Sequence, residues 1–430
     1  MTELETTAPA TTIETPGAAV PAASAAAADT RNPFATAAYR WYFAAVVCGA
    51  MGVGIQVVSV PLFIRDRVAT DHRELLIALA LIAQTVPAAC LMLVGGVAAD
   101  RFQRGRIMTR VWFSASFVSL AYVLLTGIDI SQVWPVFVLG AVIGSLDAFG
   151  QPARASMPAQ ILPRPQLQNG IILNTVAFMA AFQLIGPALG GILADIFDLT
   201  VAFSAEVIFL IVGALLATRV HVPKPIPTGK SVFRDLADGV SYVRGHATLK
   251  PLLFMQLLPG LLLIGPFRVT AVGLVQDVMH RGDRYIGFLS GGFGFGVLAG
   301  SMALTGIRLS RRGLILCAAP IAGGVIFIAY GASSNIWLSL ALMVPWGLSA
   351  AVFINMVTPL MQEESSPAML GRVMSMSSLA FAISTPLGFL HSGVVSNFWD
   401  PRASVILSGA VFAVIGLFCV LFLRPVRRLP

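Results

Sequence analysis

The chain predicts an all-α integral membrane protein with twelve transmembrane helices in two six-helix halves, and three observations carry that expectation. Hydrophobic residues fill 57% of the 430 positions and charged ones only 11%, with a mean hydropathy of +0.84. Soluble domains hold about 45–50% apolar and about 25% charged residues. The apolar residues come in long continuous runs rather than in alternation, which excludes a closed β-barrel. Short turns rich in arginine separate several of those runs. At about 20 residues per crossing, the apolar content allows up to a dozen spans.

In order, residues 1–39 read as a disordered cytoplasmic tail. The first thirty are mostly Ala, Thr and Pro with Glu3, Glu5 and Glu14, and no basic residue precedes Arg31. A secretory signal needs a positive start and an apolar core, and neither is present. Apolar runs at 41–64, 75–97, 107–127, 133–152, 170–194 and 201–218 make a first half, 40–219. Runs at 251–276, 285–306, 314–332, 336–358, 373–396 and 403–423 make a second, 251–424, before a short cytoplasmic tail at 425–430. The connection 220–250 holds Pro223, Pro225 and Pro227, then Val232, Leu236, Val240 and Val243 at helical spacing among charged residues. It reads as an amphipathic helix on the inner membrane surface. Placing both termini inside assigns 21 of the 28 Lys and Arg residues to cytoplasmic segments, as the charge rule for short loops requires. Arg65, Arg67, Arg73, Arg281, Arg284 and Arg402 remain outside, and Arg268 lies in a span.

The net charge of +8 is spread over short loops, so topology accounts for it and a nucleic-acid surface is not expected. Cys48, Cys90, Cys317 and Cys419 lie in apolar runs without metal-ligand spacing and read as small buried hydrophobes. No metal site or cofactor is expected. Gly294-Phe-Gly296-Val-Leu-Ala299 sits inside a span with no strand before it, so it is no dinucleotide fingerprint. Gly229-Lys230-Ser231 lacks the leading glycine of a phosphate loop, since that position is Lys224. With no His-Glu-x-x-His or Gly-x-Ser-x-Gly and five scattered histidines, an enzyme is not expected.

Gly96, Asp100, Arg101 and Arg104, spaced Gly-x-x-x-Asp-Arg-x-x-Arg between the second and third runs, resemble the loop at that position in major facilitator superfamily transporters. The resemblance implies a latch that ties the two halves on the cytoplasmic side when the transporter opens outward. Its expected partner is the start of the eleventh span, near Gly371-Arg372-Val373. Gly186-Pro187-x-x-Gly190-Gly191 in the fifth span resembles the core of the signature of proton-antiporting exporters, although the upstream glycines are Phe182 and Leu173 here. Pro152-Ala-Arg154 through Asn174 to Gly186-Pro187, and Gly371 to Ser375, are similar to the branch containing enterobactin exporters and transmembrane secretion effectors. Gly287, Gly291, Gly292, Gly294, Gly296 and Gly300 supply three Gly-x-x-x-Gly pairs in the eighth span, which allow close helix contact in lipid. The resemblance implies that the fifth and eighth helices face each other across the halves.

Ionisable groups in a span mark function by default. Asp147, roughly 7 Å inside the fourth span at about 1.5 Å per residue, is too short to snorkel and is the leading proton-titrating candidate. Arg268 is a candidate for attracting an anionic substrate. Glu206 is long enough to snorkel to the interface, and Asn174, Gln183, Gln56 and Asn355 either line a path or bond between helices. An internal echo relates Leu146–Pro152 to Ile354–Pro359, while 306–313 repeats the opening loop without its acid. The implied protein works as a monomer in the plasma membrane (the inner membrane in a bacterium), with a small-molecule substrate, the bilayer as partner and protons as coupling ion. Proton-driven export is the favoured function; import or uniport is the alternative, and a non-transporting receptor a distant third.

Overall fold

The computed structural model describes residues 32–67, 72–128, 133–222, 240–305 and 309–429. Among these, all regular structure is helical, and twelve helices have the length and composition to cross a bilayer. They are α1 (Ala37–Arg67), α2 (Arg73–Arg101), α3 (Arg104–Thr126), α4 (Trp134–Ser156), α5 (Arg164–Ile196) and α6 (Leu199–Thr218). After the linker follow α7 (Leu249–Val278), α8 (Arg284–Thr305), α9 (Arg312–Ala332), α10 (Ile336–Glu363), α11 (Leu370–Phe398) and α12 (Pro401–Phe422). The helices overrun the apolar stretches by several residues, because backbone hydrogen bonding does not stop where the hydrocarbon does.

Local chemistry sets the ends. Asp198, Asn335 and Asp400 accept the backbone N–H of Val201, Trp337 and Arg402 at 2.8, 2.9 and 2.7 Å, capping α6, α10 and α12. Only Phe102 and Gln103 separate α2 from α3. Two helices are not α-helical throughout: α5 widens into a π-helical turn at Ala180–Ile185, and α7 does so at Gly260–Ile264 and Leu274–Val278. Such wide turns recur at functional sites.

Odd-numbered helices start at the face that carries Asn32 and Leu429, here the tail face; even-numbered ones start at the far face. The buried apolar side chains form two clusters. One is drawn from α1–α6 and the residues just after, with Val269 and Phe389 added; the other comes from 243–429, with Val58 and Leu62 of α1 added. Lipid gives helices no hydrophobic reason to associate, so small residues must let backbones meet. Gly144 lies on the Gln84 carbonyl and Gly95 on that of Ala148, closing α2 against α4.

Two expectations change here. Val232 and Leu236 of the amphipathic linker, like the tail residues 1–31, lie outside the described residues. Its described end does not lie on lipid through Val243, which is 3% exposed in the second cluster, while the Tyr242 hydroxyl accepts the Ser366 N–H at 3.2 Å. Cys90 is exposed rather than buried, because the outer surface of a membrane helix can be as apolar as its core.

Candidate functional site

The halves are joined by polar contacts at the far face. Arg65 at the end of α1 pairs with Asp277 of α7, Arg284 of α8 pairs with Asp195 of α5 at 3.4 Å, and His72 bonds Asn397 at 2.8 Å. Gly191 packs on Gly287 and the Asp283 carbonyl, and Gly393 on Ala78 and Leu75. The Asp283 side chain, just outside α8, accepts from Gln276 at 2.5 Å. Burial raises its carboxyl pKa, the Gln276 bond opposes that, and Asp195 adds to the rise. These contacts give the far-face arginines their use. Arg67 likewise donates to the carbonyls of Leu125 and Thr126 at 2.7 and 3.0 Å, closing the end of α3, and Arg402 donates to Ser334.

Toward the tail face the halves part. α8 packs along the outer section of α5, where Gly287, Gly291 and Gly294 meet Pro187, Leu184 and Gln183. Below that, Val94 and Val97 of α2 and Phe381 and Ile383 of α11 are exposed, and both Gly96 and Gly371 face open space. The expected latch is therefore not closed. Asp100 pairs with Arg104 at 3.4 Å instead, and Arg104 also donates to the carbonyls of Ala99 and Ser156 at 3.1 and 3.2 Å. Arg101 is exposed. With Asp100 turned to Arg104 and open space at Gly96 and Gly371, the two latch surfaces lie apart.

The motif's glycine also needs correction. A side chain at Gly96 would meet nothing, and the close approach belongs to Gly95. Gly95→Val is expected to lower stability by about 1–3 kcal/mol through overpacking, and Gly96→Ala by under about 0.5 kcal/mol. Thermal unfolding of the two variants in detergent reads the difference.

In α5 the Gly-Pro-x-x-Gly-Gly stretch forms a three-helix junction. Gly186 and Gly190 lie on Gly54 and Ile55 of α1, whereas Gly191 faces α8. The glycines of α8 divide likewise: 287, 291 and 294 face α5, while 292, 296 and 300 face Met343, Gly347 and Ala351 of α10.

Between the halves, at and below this junction, lie the polar groups of the interior. Asp147 makes no hydrogen bond or ion pair among the described residues; the charge acting on it is Arg154, two turns along α4. The Arg154 guanidinium sits 3.7 Å from the centre of the Phe178 ring. Phe178 stacks on Phe182 at 5.5 Å and 11°, and Phe182 lies 5.9 Å from the Arg268 guanidinium of α7. Tyr42 of α1 is fully buried. It donates to the Arg154 carbonyl at 2.9 Å and meets the Asn174 side chain, whose Oδ1 is buried without a partner. Three sequence candidates, Asp147, Asn174 and Arg268, thus fall on one track. Phe178 and Tyr42 carry no signal of this role in the sequence, and Arg154 and Phe182 enter it only as motif positions, although Arg154 stands seven residues from Asp147 and so shares its helix face.

The other candidates lie elsewhere. Gln183 abuts Gly294 at the α5–α8 contact. Asn355 donates to Ser301 at 2.9 Å and to the Ala351 carbonyl at 2.8 Å, binding α10 to α8. Glu206 does not snorkel: it is 1% exposed and takes the Ser119 hydroxyl at 2.5 Å between α3 and α6. Its helix turns it into the first half's core, where Tyr122 and Phe203 stack at 5.0 Å. Gln84 donates to Gln56 at 3.5 Å between α2 and α1.

Known proteins match this architecture along its length. A family model described as transmembrane secretion effector covers residues 28–428. The uncharacterized MFS-type transporter YkuC of Bacillus subtilis is 25% identical over 371 residues, covering 82% of this chain and 84% of that protein. The enterobactin exporter EntS of Citrobacter koseri is 23% identical over 403 residues, covering 91% and 93%. Among solved structures, a bacterial homologue of the human lysosomal transporter Spinster, in an inward-facing and unoccupied conformation, superposes with a TM-score of 0.67 at 14% identity over 91% of this chain and 98% of that one. Twelve helices, glycine-lined helix contacts and a family match over nearly all positions converge: the chain belongs to the transmembrane secretion effector family of major facilitator superfamily transporters.

Proposed function

We propose that the chain is a secondary active exporter of a small amphipathic molecule, driven by protons and working by alternating access. The tail face lies in the cytoplasm of a plasma membrane, the inner membrane in a bacterium, and the single chain is the working unit. The observation that carries this reading is the interior track of Asp147, Arg154, Asn174 and Arg268, set below a closed far face and toward an open tail face. Export is supported by the exporter named among the relatives and by the Gly-Pro-x-x-Gly-Gly junction. In the cycle, substrate enters from the tail face, the halves rock about the α5–α8 contact, and it leaves at the far face. Asp147 then takes a proton there and gives it up on the cytoplasmic side before the next substrate binds.

Flux in inside-out vesicles tests direction and coupling together. Acidifying the lumen should drive substrate inward by at least tenfold over the ungated leak. Uptake that ignores the gradient, or needs acid on the opposite side, would replace this reading with uniport or import. Asp100→Ala should slow cycling several-fold while substrate affinity holds, since the latch serves the outward-open state; unchanged turnover removes the latch.

The far face adds a pH prediction. Asp283 lies near Asp195 and Asp66 as well as Arg65 and Gln276, and burial in the closed state raises its pKa. A raised carboxyl binds protons more tightly closed than open, so closure gains as pH falls through the raised value. The gain levels off near the ordinary aspartate value of about 3.9, where both states are protonated. Spin labels at Phe197 and Trp399, both exposed beyond the ends of α5 and α11, should therefore draw together as pH is lowered toward the ordinary aspartate value. Asp283→Asn should abolish the change, and a change that survives it refutes the assignment.

A further inference from the structure

We propose that Arg154, Phe178, Phe182 and Arg268 form a binding site for a planar aromatic anion, a hydroxylated ring bearing a carboxylate or a similar acidic group. The inference rests on the transporter reading and deepens it by naming the cargo.

The four side chains make a continuous ladder that runs from one half to the other. Arg154 lies 3.7 Å from the Phe178 centroid, the two rings stack 5.5 Å apart, and Arg268 lies 5.9 Å from Phe182. Both guanidinia are held by ring faces rather than by acids: among the described residues no carboxylate comes within ion-pair distance of either. Their N–H forks remain unspent in a region where an uncompensated charge is costly. A guanidinium stacked on a ring keeps its edge free for a carboxylate, which it binds through two parallel hydrogen bonds. With their faces taken by the ladder, the rings offer apolar edges against which a further aromatic ring can pack edge-to-face. A separate observation points to the hydroxyl. Asn174 is engaged at Tyr42, whose hydroxyl reaches the Arg154 carbonyl, and leaves Oδ1 buried and unpartnered, an acceptor that wants a donor from the cargo.

Charge decides the sign of that cargo. The track holds two guanidinia and one carboxylate, Asp147, which acts on Arg154, so with Asp147 ionised the empty track carries one positive charge and repels cations. A monoanion brings the occupied site to zero. Crossing the membrane loaded then moves no net charge, and the empty return, with Asp147 protonated, carries two positive charges inward, which an inside-negative potential favours. That direction of travel is export.

A packing role for the same four residues predicts no ligand at all, and binding to the purified full-length chain separates the two. Radiolabelled salicylate should bind saturably, with 2-hydroxybenzyl alcohol competing at least tenfold more weakly and benzyltrimethylammonium not at all. Arg268→Gln and Phe182→Leu should each weaken salicylate at least tenfold, and Arg268→Lys should restore part of what the glutamine loses. Each variant is scored only with a wild-type elution profile and thermal midpoint; Arg154→Gln stands in where Arg268→Gln does not fold. Absence of salicylate binding, equal binding of the alcohol or the ammonium, or an Arg268→Gln protein that binds as wild type overturns the proposal. The spin-label pair across the far face is read on the same samples. Switching without salicylate binding defeats the ligand class alone, whereas a chain that never switches defeats the transporter reading beneath it.

Discussion

Asp147→Asn is expected to abolish proton-driven efflux, at least tenfold in initial rate, while exchange of substrate down its own gradient continues. The side chain makes no hydrogen bond among the described residues, so the amide loses no partner on replacing the carboxylate. What it loses is the charge that acts on Arg154 two turns away and the capacity to carry a proton. The fold should hold, with a thermal midpoint within about 2 °C of wild type, as for a substitution that creates neither cavity nor clash. Proteoliposomes loaded at equal and unequal pH provide the measurement. A variant whose efflux still follows the gradient would show that the proton is carried elsewhere.

The second large effect is expected from Gly287→Val. A Cβ at 287 would overlap the Pro187 carbonyl of α5, so the larger residue wedges the contact about which the halves turn. Overpacking of this kind costs about 1–3 kcal/mol, and because the clash exists only with the far face closed, the cost appears as a shift of about 5- to 150-fold toward the open far face. Transport should fall in proportion while the protein stays folded. Gly292→Ala is the control. The added methyl meets the Met343 Cβ at 3.1 Å on α10, a contact inside the second half that a shift of a few tenths of an ångström relieves, and should leave the equilibrium alone. The label distance between Phe197 and Trp399 reads both variants; equal distances would move the pivot away from α5 and α8.

The spans were legible because lipid imposes a length and a polarity on every crossing segment, and these demands are written locally. So was the close packing of α8, since spaced glycines have few other uses in lipid, but not that 292, 296 and 300 turn to α10 instead of α5. Legibility ended where a role depends on what another helix brings. Arg154 reads in sequence as a basic residue closing a span, and only the fold sets the Phe178 ring, twenty-four residues later, beneath its guanidinium. Gly95 and Gly96 are indistinguishable as letters; α4 lies against one of them. Glu206 has the reach to snorkel, and the rotation of α6 decides that it does not. The arginines at the far face look like exceptions to a charge rule until Asp277 and Asp195 come to meet two of them.

The wide turn at Ala180–Ile185 has a consequence for how α5 tolerates change in length. It stands between the ring of Phe178 and the glycines at 186–191, and so sets the angular phase between what grips cargo and what swings. Taking a single residue out of that turn would close it to α-helix with the phase nearly kept, whereas a second deletion would twist one set against the other by about 100°, the angle one residue subtends in an α-helix. Neither chemistry nor apolarity would be altered by that second deletion, yet the rings and the pivot would no longer look the same way.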